Sequence, residues 1–228
     1  MNRVERPATD ARRLLFALAL LAGLGGCVTA TVQEVREAET AMLATDAIVV
    51  LGRQSLPTSM ETEHDFVSCV SKHMGSGSDK VKVIEAQAFR DALFPWFEPR
   101  TAPANTSDLP ELIAQPALAR RLDEIGLKYL VWIEGATRRT DSGGSLTCSV
   151  TAAGAGCFGF LTWENDSSYE ASVWDIRNGT SAGRISSDAV GTSYMPAVVV
   201  PLPLIAPVRS SACSSMATQL RSFLTNSE

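Results

Sequence analysis

Apolar runs and their spacing predict the elements of the first half of the chain. Residues 46–52 (DAIVVLG) and 128–135 (KYLVWIEG) are nearly continuous apolar runs that end at glycine. This pattern is typical of strands that are covered on both faces. Residues 81–84 predict a shorter strand that leads into a helical turn, and the proline-containing stretch 95–110 predicts an irregular excursion.

Three segments have helical periodicity. Two of them, residues 64–74 and 213–224, each carry an apolar stripe. The stripe is formed by Phe66, Cys69, Val70 and His73 in the first segment and by Cys213, Met216, Leu220 and Phe223 in the second. A further helix begins near Pro116 and ends before Gly126, with Leu118, Leu122 and Ile125 on one face. The order strand, helix, strand, helix, strand favours a parallel or mixed sheet with helical cover.

The second half has the pattern of short antiparallel strands. Asn178-Gly179 predicts a tight hairpin because both positions of a type I′ turn need positive φ. Residues 141–144 and 164–166 predict further turns. The fold class predicted is therefore α/β, a mixed sheet with helices packed on it and a hairpin-rich antiparallel extension, in a single domain over residues 46–228.

The amino-terminal segment has the pattern of a signal peptide. Four arginines precede an eleven-residue apolar stretch at 14–24, which is too short to cross a bilayer that needs about 20 helical residues. Residues 24–27 (LGGC) resemble the lipobox of bacterial outer-membrane lipoproteins. The resemblance implies removal of residues 1–26, acylation of Cys27 (palmitate among the chains), and a lipidated tether or short helix over 27–45. Because Val28 is not an aspartate, it implies an outer-membrane lipoprotein, which we expect on the periplasmic face.

A second resemblance covers residues 46–224. The strand AIVVLG, the step LDEIGLKYLVWIEG and the strand end VWDIRNG are similar to envelope modules such as the amino-terminal domain of TolB and the periplasmic domain of the curli-secretion lipoprotein. These motifs mark points of the fold, so no functional residue is implied. No pair of long amphipathic strands is evident, and a pore is therefore not expected.

Charge and motifs limit the chemistry. The net charge is −5, and removal of four arginines and two acidic residues with the signal peptide would leave −7. No basic patch with aromatics is present, so nucleic acid is not an expected partner. No nucleophile elbow, P-loop or metalloprotease motif is present, and we expect no enzyme activity and no cofactor. Carboxylates that could pair are Glu134, Glu164, Asp175 and Asp188.

Histidine and cysteine spacing does not predict a metal site. His64 and His73 fall on opposite faces of a helix, and Cys69 with His73 supplies only two ligands. Four cysteines follow Cys27, an even number that suggests disulfides in an oxidising compartment. The predicted pairs are Cys148 with Cys157, across a small flexible loop, and Cys69 with Cys213, joining two helices. Buried free thiols are the alternative.

The most apolar stretch after the signal peptide is residues 195–208 (MPAVVVPLPLIAPV). Its four prolines exclude a continuous helix and a central strand, which leaves an extended segment. The preferred prediction is that residues 198–200 and 202–205 are buried at the edge of the core. The alternative is an exposed ridge for a partner subunit or the membrane, formed by Val199, Leu202, Leu204 and Ile205.

Three classes of function stay open. The first is a lipid-anchored, non-catalytic module that docks or assembles secretion, transport or surface-polymer components, with a protein partner or a homo-oligomer in the envelope. The second is a lipoprotein that binds a peptide or glycan. The third is a lipid-anchored hydrolase. The first is preferred because no catalytic or cofactor motif is evident.

Overall fold

The structure is a computed structural model that describes residues 28–53, 62–77, 80–98, 100–103, 106–152 and 154–225. Cys27 and the predicted signal peptide lie outside these ranges. Eleven helices and strands are labelled in chain order: β1 Val28–Arg36, β2 Ala47–Gly52, α1 His64–Met74, β3 Val83–Ile84, α2 Ala86–Ala92, α3 Leu109–Ile113, α4 Pro116–Glu124, β4 Leu127–Thr151, β5 Gly154–Asp175, β6 Thr180–Pro201 and α5 Val208–Thr225. A 3₁₀ turn, Thr106–Asp108, precedes α3.

One six-stranded sheet joins all the strands, in the order β1-β6-β5-β4-β2-β3. The strands β3, β2 and β4 are parallel, whereas β4, β5, β6 and β1 pair antiparallel. The predicted fold class, a mixed sheet with helical cover and an antiparallel extension, is confirmed.

The sheet has helices on both faces. On one face, α1 and α5 cover a core that includes Val50, Tyr129 and Ile185. On the other, α2, α3 and α4 cover a second core that includes Val49, Leu130 and Trp132. Because β2 is buried on both faces, its sequence is a continuous apolar run rather than an alternating one.

The residues that begin and end several elements agree with the prediction. The helix α1 spans the residues that the periodicity indicated, and α4 begins at Pro116. Gly126, which follows α4, has φ +69, and Gly179 in the turn between β5 and β6 has φ +66. Both glycines therefore stand where the chain needs a left-handed residue. The turn between β5 and β6 nevertheless has four residues, 176–179, and Asn178 does not have a positive φ, so the predicted two-residue type I′ turn is wrong. No helix within the described ranges combines the length and the apolarity needed to cross a membrane.

The first described strand corrects one prediction. Residues 28–36 were expected to form a tether or short helix, but they form β1, the edge strand that pairs with β6 from Val28 opposite Gly191 to Arg36 opposite Gly183. The expected helix or free tether is wrong for these residues. Intrinsic helix preference is weak, and a complete ladder of backbone hydrogen bonds to a neighbouring strand overrides it.

The length of the later strands corrects a second prediction. Residues 141–144 and 164–166 were expected to form turns, but they continue the ladder between β4 and β5, where Gly143 lies opposite Thr162 and Arg139 opposite Asn165. A bulge lies between Arg139 and Asp141. The strands β4, β5 and β6 have 25, 22 and 22 residues, so the prediction of short strands in the second half is wrong. Turn-like composition does not end a strand whose backbone groups are paired across the sheet.

Candidate functional site

The distal ends of β4, β5 and β6 form a three-stranded ribbon beyond the helices. We call residues 139–151, 154–165 and 192–201 the extension, and the remaining described residues the body. No described β4 residue from 138 to 151 is buried, and Leu146 alone among them is half-buried. The β4 strand of the extension therefore has little cover on either face, whereas Ser193 and Ala197 of β6 are buried.

Large apolar side chains are exposed on this ribbon. Phe158 is opposite Val198 in the ladder, and Phe160 is opposite Pro196, so these four residues share one face. Phe158 is 57% exposed and Val198 is 80% exposed. The Phe160 ring also lies 5.9 Å from the ring of Tyr194. Val150 and Val200 add further exposed apolar surface near the tip.

The two lateral edges of the extension differ. Beyond Ile133, where its pairing with β2 ends, β4 pairs with β5 alone among the described strands. On the β6 side, the chain after Pro201 folds back, and Leu204 exchanges hydrogen bonds of 2.7 and 2.9 Å with Tyr194. One edge is thus partly covered by the chain itself, while along the other no described strand pairs with β4.

The predicted interaction segment lies on this covered side. Val199, Leu202 and Ile205 are exposed, and Leu204 is half-buried against β6. The preferred prediction, burial of residues 198–200 and 202–205 in the core, is wrong apart from the partial cover at Leu204. The segment is extended, as predicted, but no helix packs over this part of the sheet. Phe158 and Phe160 were not among the predicted residues, although they alternate with glycine in CFGF as strand residues of one face do.

The four described cysteines lie in two pairs at disulfide distance, with the pairing that the sequence predicts. Cys69 and Cys213 join α1 to α5, with their Cα atoms 6.2 Å apart. Cys148 and Cys157 lie opposite each other near the tip of the extension, with Cα atoms 4.0 Å apart. One bridge therefore fastens two helices of the body, and the other fastens the end of the ribbon.

One group of possible metal ligands occurs in the described part of the chain. Ligand atoms of Cys69, His73 and Cys213 lie within 4.8 Å of one another. Both sulfurs belong to the same disulfide, so neither is available as a thiolate, the form that binds metal. His64 and His73 stand at opposite ends of α1 and do not converge.

The carboxylates considered for catalysis are engaged elsewhere. Glu134 pairs with Arg53 at 3.5 Å, and Asp175 pairs with Lys128 at 2.7 Å. Glu164 accepts a hydrogen bond of 3.2 Å from the hydroxyl of Thr140. These three carboxylates are accounted for by ion pairs and a hydrogen bond of the sheet.

A buried polar network marks the place where the body passes into the extension. The Tyr169 hydroxyl donates to Glu63, and Thr137 Oγ1 lies 2.9 Å from that hydroxyl and 2.7 Å from Ser167 Oγ. Burial, and then the hydrogen bond to Glu63, raise the pKa of Tyr169 well above its usual range. The phenol therefore stays protonated and serves as a donor. Its ring stacks on Phe66 at 3.5 Å between centroids.

A cavity of about 190 Å³ opens at the carboxyl ends of β2 and β3. Residues from β2, α1 and α2 line it, and Arg53 and Arg90 supply cationic groups. The sequence analysis did not find this site. The available signal was the glycine-arginine pair that ends β2, since the carboxyl ends of parallel strands are the usual ligand position in open α/β sheets.

Comparison with known proteins gives little further definition. No protein-family model and no curated protein matches the chain. A solved PelC dodecamer from Paraburkholderia phytofirmans (space group P6) is similar at 15% identity and a TM-score of 0.40, covering 87% of this chain and 99% of that chain. A variant of that dodecamer in space group C2 is similar at 15% identity and a TM-score of 0.37, covering 88% and 98%. Both TM-scores are low, so no conclusion about this chain is drawn from them.

Proposed function

We propose that this chain is a lipid-anchored lipoprotein of the cell envelope that acts as a non-catalytic assembly module. Copies of the chain associate through the extension and present a multi-subunit platform to other envelope components involved in secretion, transport or surface polymers. The anchor is Cys27, and the folded body lies at the periplasmic face of the outer membrane.

The single observation that carries the proposal is the uncovered extension. A ribbon of three strands with apolar side chains such as Phe158 and Val198 in water is unfavourable for a monomer, at about 25 cal/mol for each Å² of apolar surface left exposed. The edge of β4 that no strand of the described ranges pairs with adds backbone donors and acceptors that another strand would satisfy. Association would cover both the apolar face and the edge.

A second copy is the occupant that we favour. The open edge of β4 and the exposed face of β5 and β6 are different surfaces of one ribbon, so a contact between unlike surfaces can repeat from copy to copy. Such repetition closes into a ring when the rotation between copies allows it. The disulfide between Cys148 and Cys157 supports the proposal, because it would hold the tip in a fixed shape before association.

The test is the molar mass of the full chain, extracted in detergent and measured by size-exclusion chromatography with light scattering. We expect an oligomer for the unmodified chain and a monomer for Phe158→Glu. We also expect that the substitution leaves the melting temperature of the monomeric form unchanged. Phe94→Glu is the matched control, since Phe94 is equally exposed but lies outside the extension. A monomeric unmodified chain, or an oligomer that Phe158→Glu leaves intact, would contradict self-assembly.

The anchor has an independent test. Cys27→Ala should abolish labelling by a palmitate analogue in cells and leave an unprocessed precursor or a soluble form. Undiminished labelling of the variant would remove the lipoprotein part of the proposal, while self-assembly through the extension would stand or fall separately.

A further inference from the structure

We infer that the cavity at the carboxyl ends of β2 and β3 is a binding site for a small anionic ligand, a single sugar ring that carries a carboxylate. The site lies in the body, so the inference goes beyond the proposed assembly function and does not depend on it.

The position of the cavity favours a ligand. Its walls come from the end of β2 at Gly52 and Arg53, the first two turns of α1, and the start of α2 at Glu85, Ala86 and Gln87. The helix α1 covers one face of the sheet, and α2 covers the other. A crevice between helices that leave the sheet on opposite faces, at the carboxyl ends of parallel strands, is where open α/β sheets bind their ligands.

The backbone around the cavity is held in place. A Cβ atom at Gly52 would come within 2.7 Å of Val67 and 3.2 Å of Thr62, so β2 and α1 approach each other closely only because this residue is glycine. The Thr62 hydroxyl donates to the carbonyl of Ile133 at 2.8 Å, and the Arg53 amide donates to the same carbonyl. The cavity is therefore bounded by close packing and a fixed strand end.

The charge of the lining favours an anion. Arg53 and Arg90 line the cavity together with one carboxylate, the exposed Glu85. Arg53 is already shared with Glu134, whereas Arg90 is half-buried and belongs to none of the ion pairs formed by the described residues. A guanidinium in this position suits a carboxylate because its donors match both oxygens at once.

Size and hydroxyl chemistry narrow the ligand further. A cavity of about 150 Å³ accepts one benzene ring, so about 190 Å³ accepts one ring with a few substituents. The hydroxyls of Ser68 and Ser71 and the amide of Gln87 line the same space. The Ser71 hydroxyl donates to the Val67 carbonyl and the Gln87 amide donates to Asp91, so the Ser71 oxygen remains as an acceptor, and Gln87 retains its carbonyl oxygen and its second N–H for ring hydroxyls. A carboxylated sugar ring matches the charge, the size and these polar groups.

The test is a ligand-observed NMR titration of the full chain in detergent with glucuronate, glucose and acetate. We expect saturable binding of glucuronate, with glucose and acetate each weaker by about tenfold or more, because each lacks one part of the recognised chemistry. Equal binding of glucose would overturn the anionic assignment, and equal binding of acetate would overturn the sugar-ring assignment. Absence of saturable glucuronate binding would overturn both.

Two variants place the binding in this cavity. Arg90→Gln should weaken glucuronate binding by about tenfold or more, while Arg120→Gln, on the exposed face of α4, should leave it unchanged. Gln87→Glu is the second variant, because it adds a negative charge to the wall at an exposed, nearly isosteric position and should also abolish binding. It also removes the hydrogen bond from Gln87 to Asp91, so Gln87→Ala, which removes that bond without adding charge, is its control and should retain more binding than Gln87→Glu. Folded Arg90→Gln and Gln87→Glu proteins that bind glucuronate as the unmodified chain does would overturn the site.

Discussion

The strands β4, β5 and β6 pass through two regions that differ in what covers them. In the body, Val131 of β4 is buried between helices and lies opposite Val173 of β5 in the ladder. In the extension, the ladder between the same strands continues, but Phe158 of β5 lies in water. The pairing between β4 and β5 is therefore continuous through both regions, whereas the pairing with β2 and the burial of side chains end before the extension. Hydrogen bonds extend a sheet, whereas apolar cover decides which part of it contributes to the stability of the monomer.

The two disulfides give the largest expected effect on stability. In the chain-entropy model, the bridge from Cys69 to Cys213 closes a loop of 144 residues and contributes about 5 kcal/mol, whereas that from Cys148 to Cys157 closes a loop of 9 and contributes about 2.5 kcal/mol. Replacing each pair by alanine and measuring the free energy of unfolding in denaturant tests this order. A greater loss from the Cys148/Cys157 pair would contradict it.

Two phenylalanines extend the comparison to packing. Phe66→Ala removes a ring that is buried against Tyr169 and should lower the free energy of unfolding by about 4 kcal/mol. Phe158→Ala removes an exposed ring and should change the stability of the dilute monomer by less than about 0.5 kcal/mol. Denaturant unfolding of both variants is the measurement. Similar losses for the two would mean that the extension has cover in the monomer.

The polar network at the junction should have an intermediate effect. Tyr169→Phe removes the donor to Glu63 and leaves that carboxylate without one of its partners, at a cost of about 1–2 kcal/mol. Amide hydrogen exchange near Thr137 should rise in this variant, because its amide donates to the same carboxylate at 3.0 Å. Unchanged exchange there, with unchanged stability, would show that the network does not join the two regions.

The smallest expected effect is a pH dependence of stability. It arises from Asp46, at the end of the body that lies away from the extension. Burial raises the pKa of Asp46, but the amide of Leu43 and the guanidinium of Arg177 outweigh it, so the pKa lies below the ordinary value of 3.8. A lowered pKa in the folded state means stability that is present above the ordinary value and lost as the pH falls through the lowered one. Melting temperatures measured across this acid range should fall less steeply for Asp46→Asn. Arg177→Gln should share this change, and a steeper fall in either variant would contradict the assignment.

The fold of the body was largely predictable because its signals are local. The apolar runs that became β2 and the start of β4, the stripe of α1, and the Pro116 and Gly126 limits of α4 each depend on residues close in sequence. The place of the turn at Asn178-Gly179 was predictable for the same reason, although its predicted two-residue length and type were wrong. The strand at 28–36 was not, because its partner is more than 140 residues away in the chain.

For the candidate site, the sequence predicted which residue types are present, but not which of them are exposed or lie close together. The sequence indicated that residues 195–208 are apolar and extended, but it did not indicate whether Leu202 and Ile205 face a core or water. The cavity joins Arg53 and Arg90 from two elements that are distant in sequence, and no spacing rule links them. Exposure and convergence are properties of the assembled chain.

The sequence by itself determined most elements of the body, their order, and which residues of a strand lie on the same face. It also determined that four cysteines after Cys27 could form two bridges. The tertiary structure decided how far each strand runs and which apolar side chains stay uncovered. The reason is physical: local preferences amount to fractions of a kcal/mol for each residue, while strand length and cover depend on which distant segment supplies the hydrogen bonds and the apolar contact. In the extension, the neighbouring strand supplies backbone hydrogen bonds, but little apolar surface packs on β4. The sequence of these strands does not show where the packing ends.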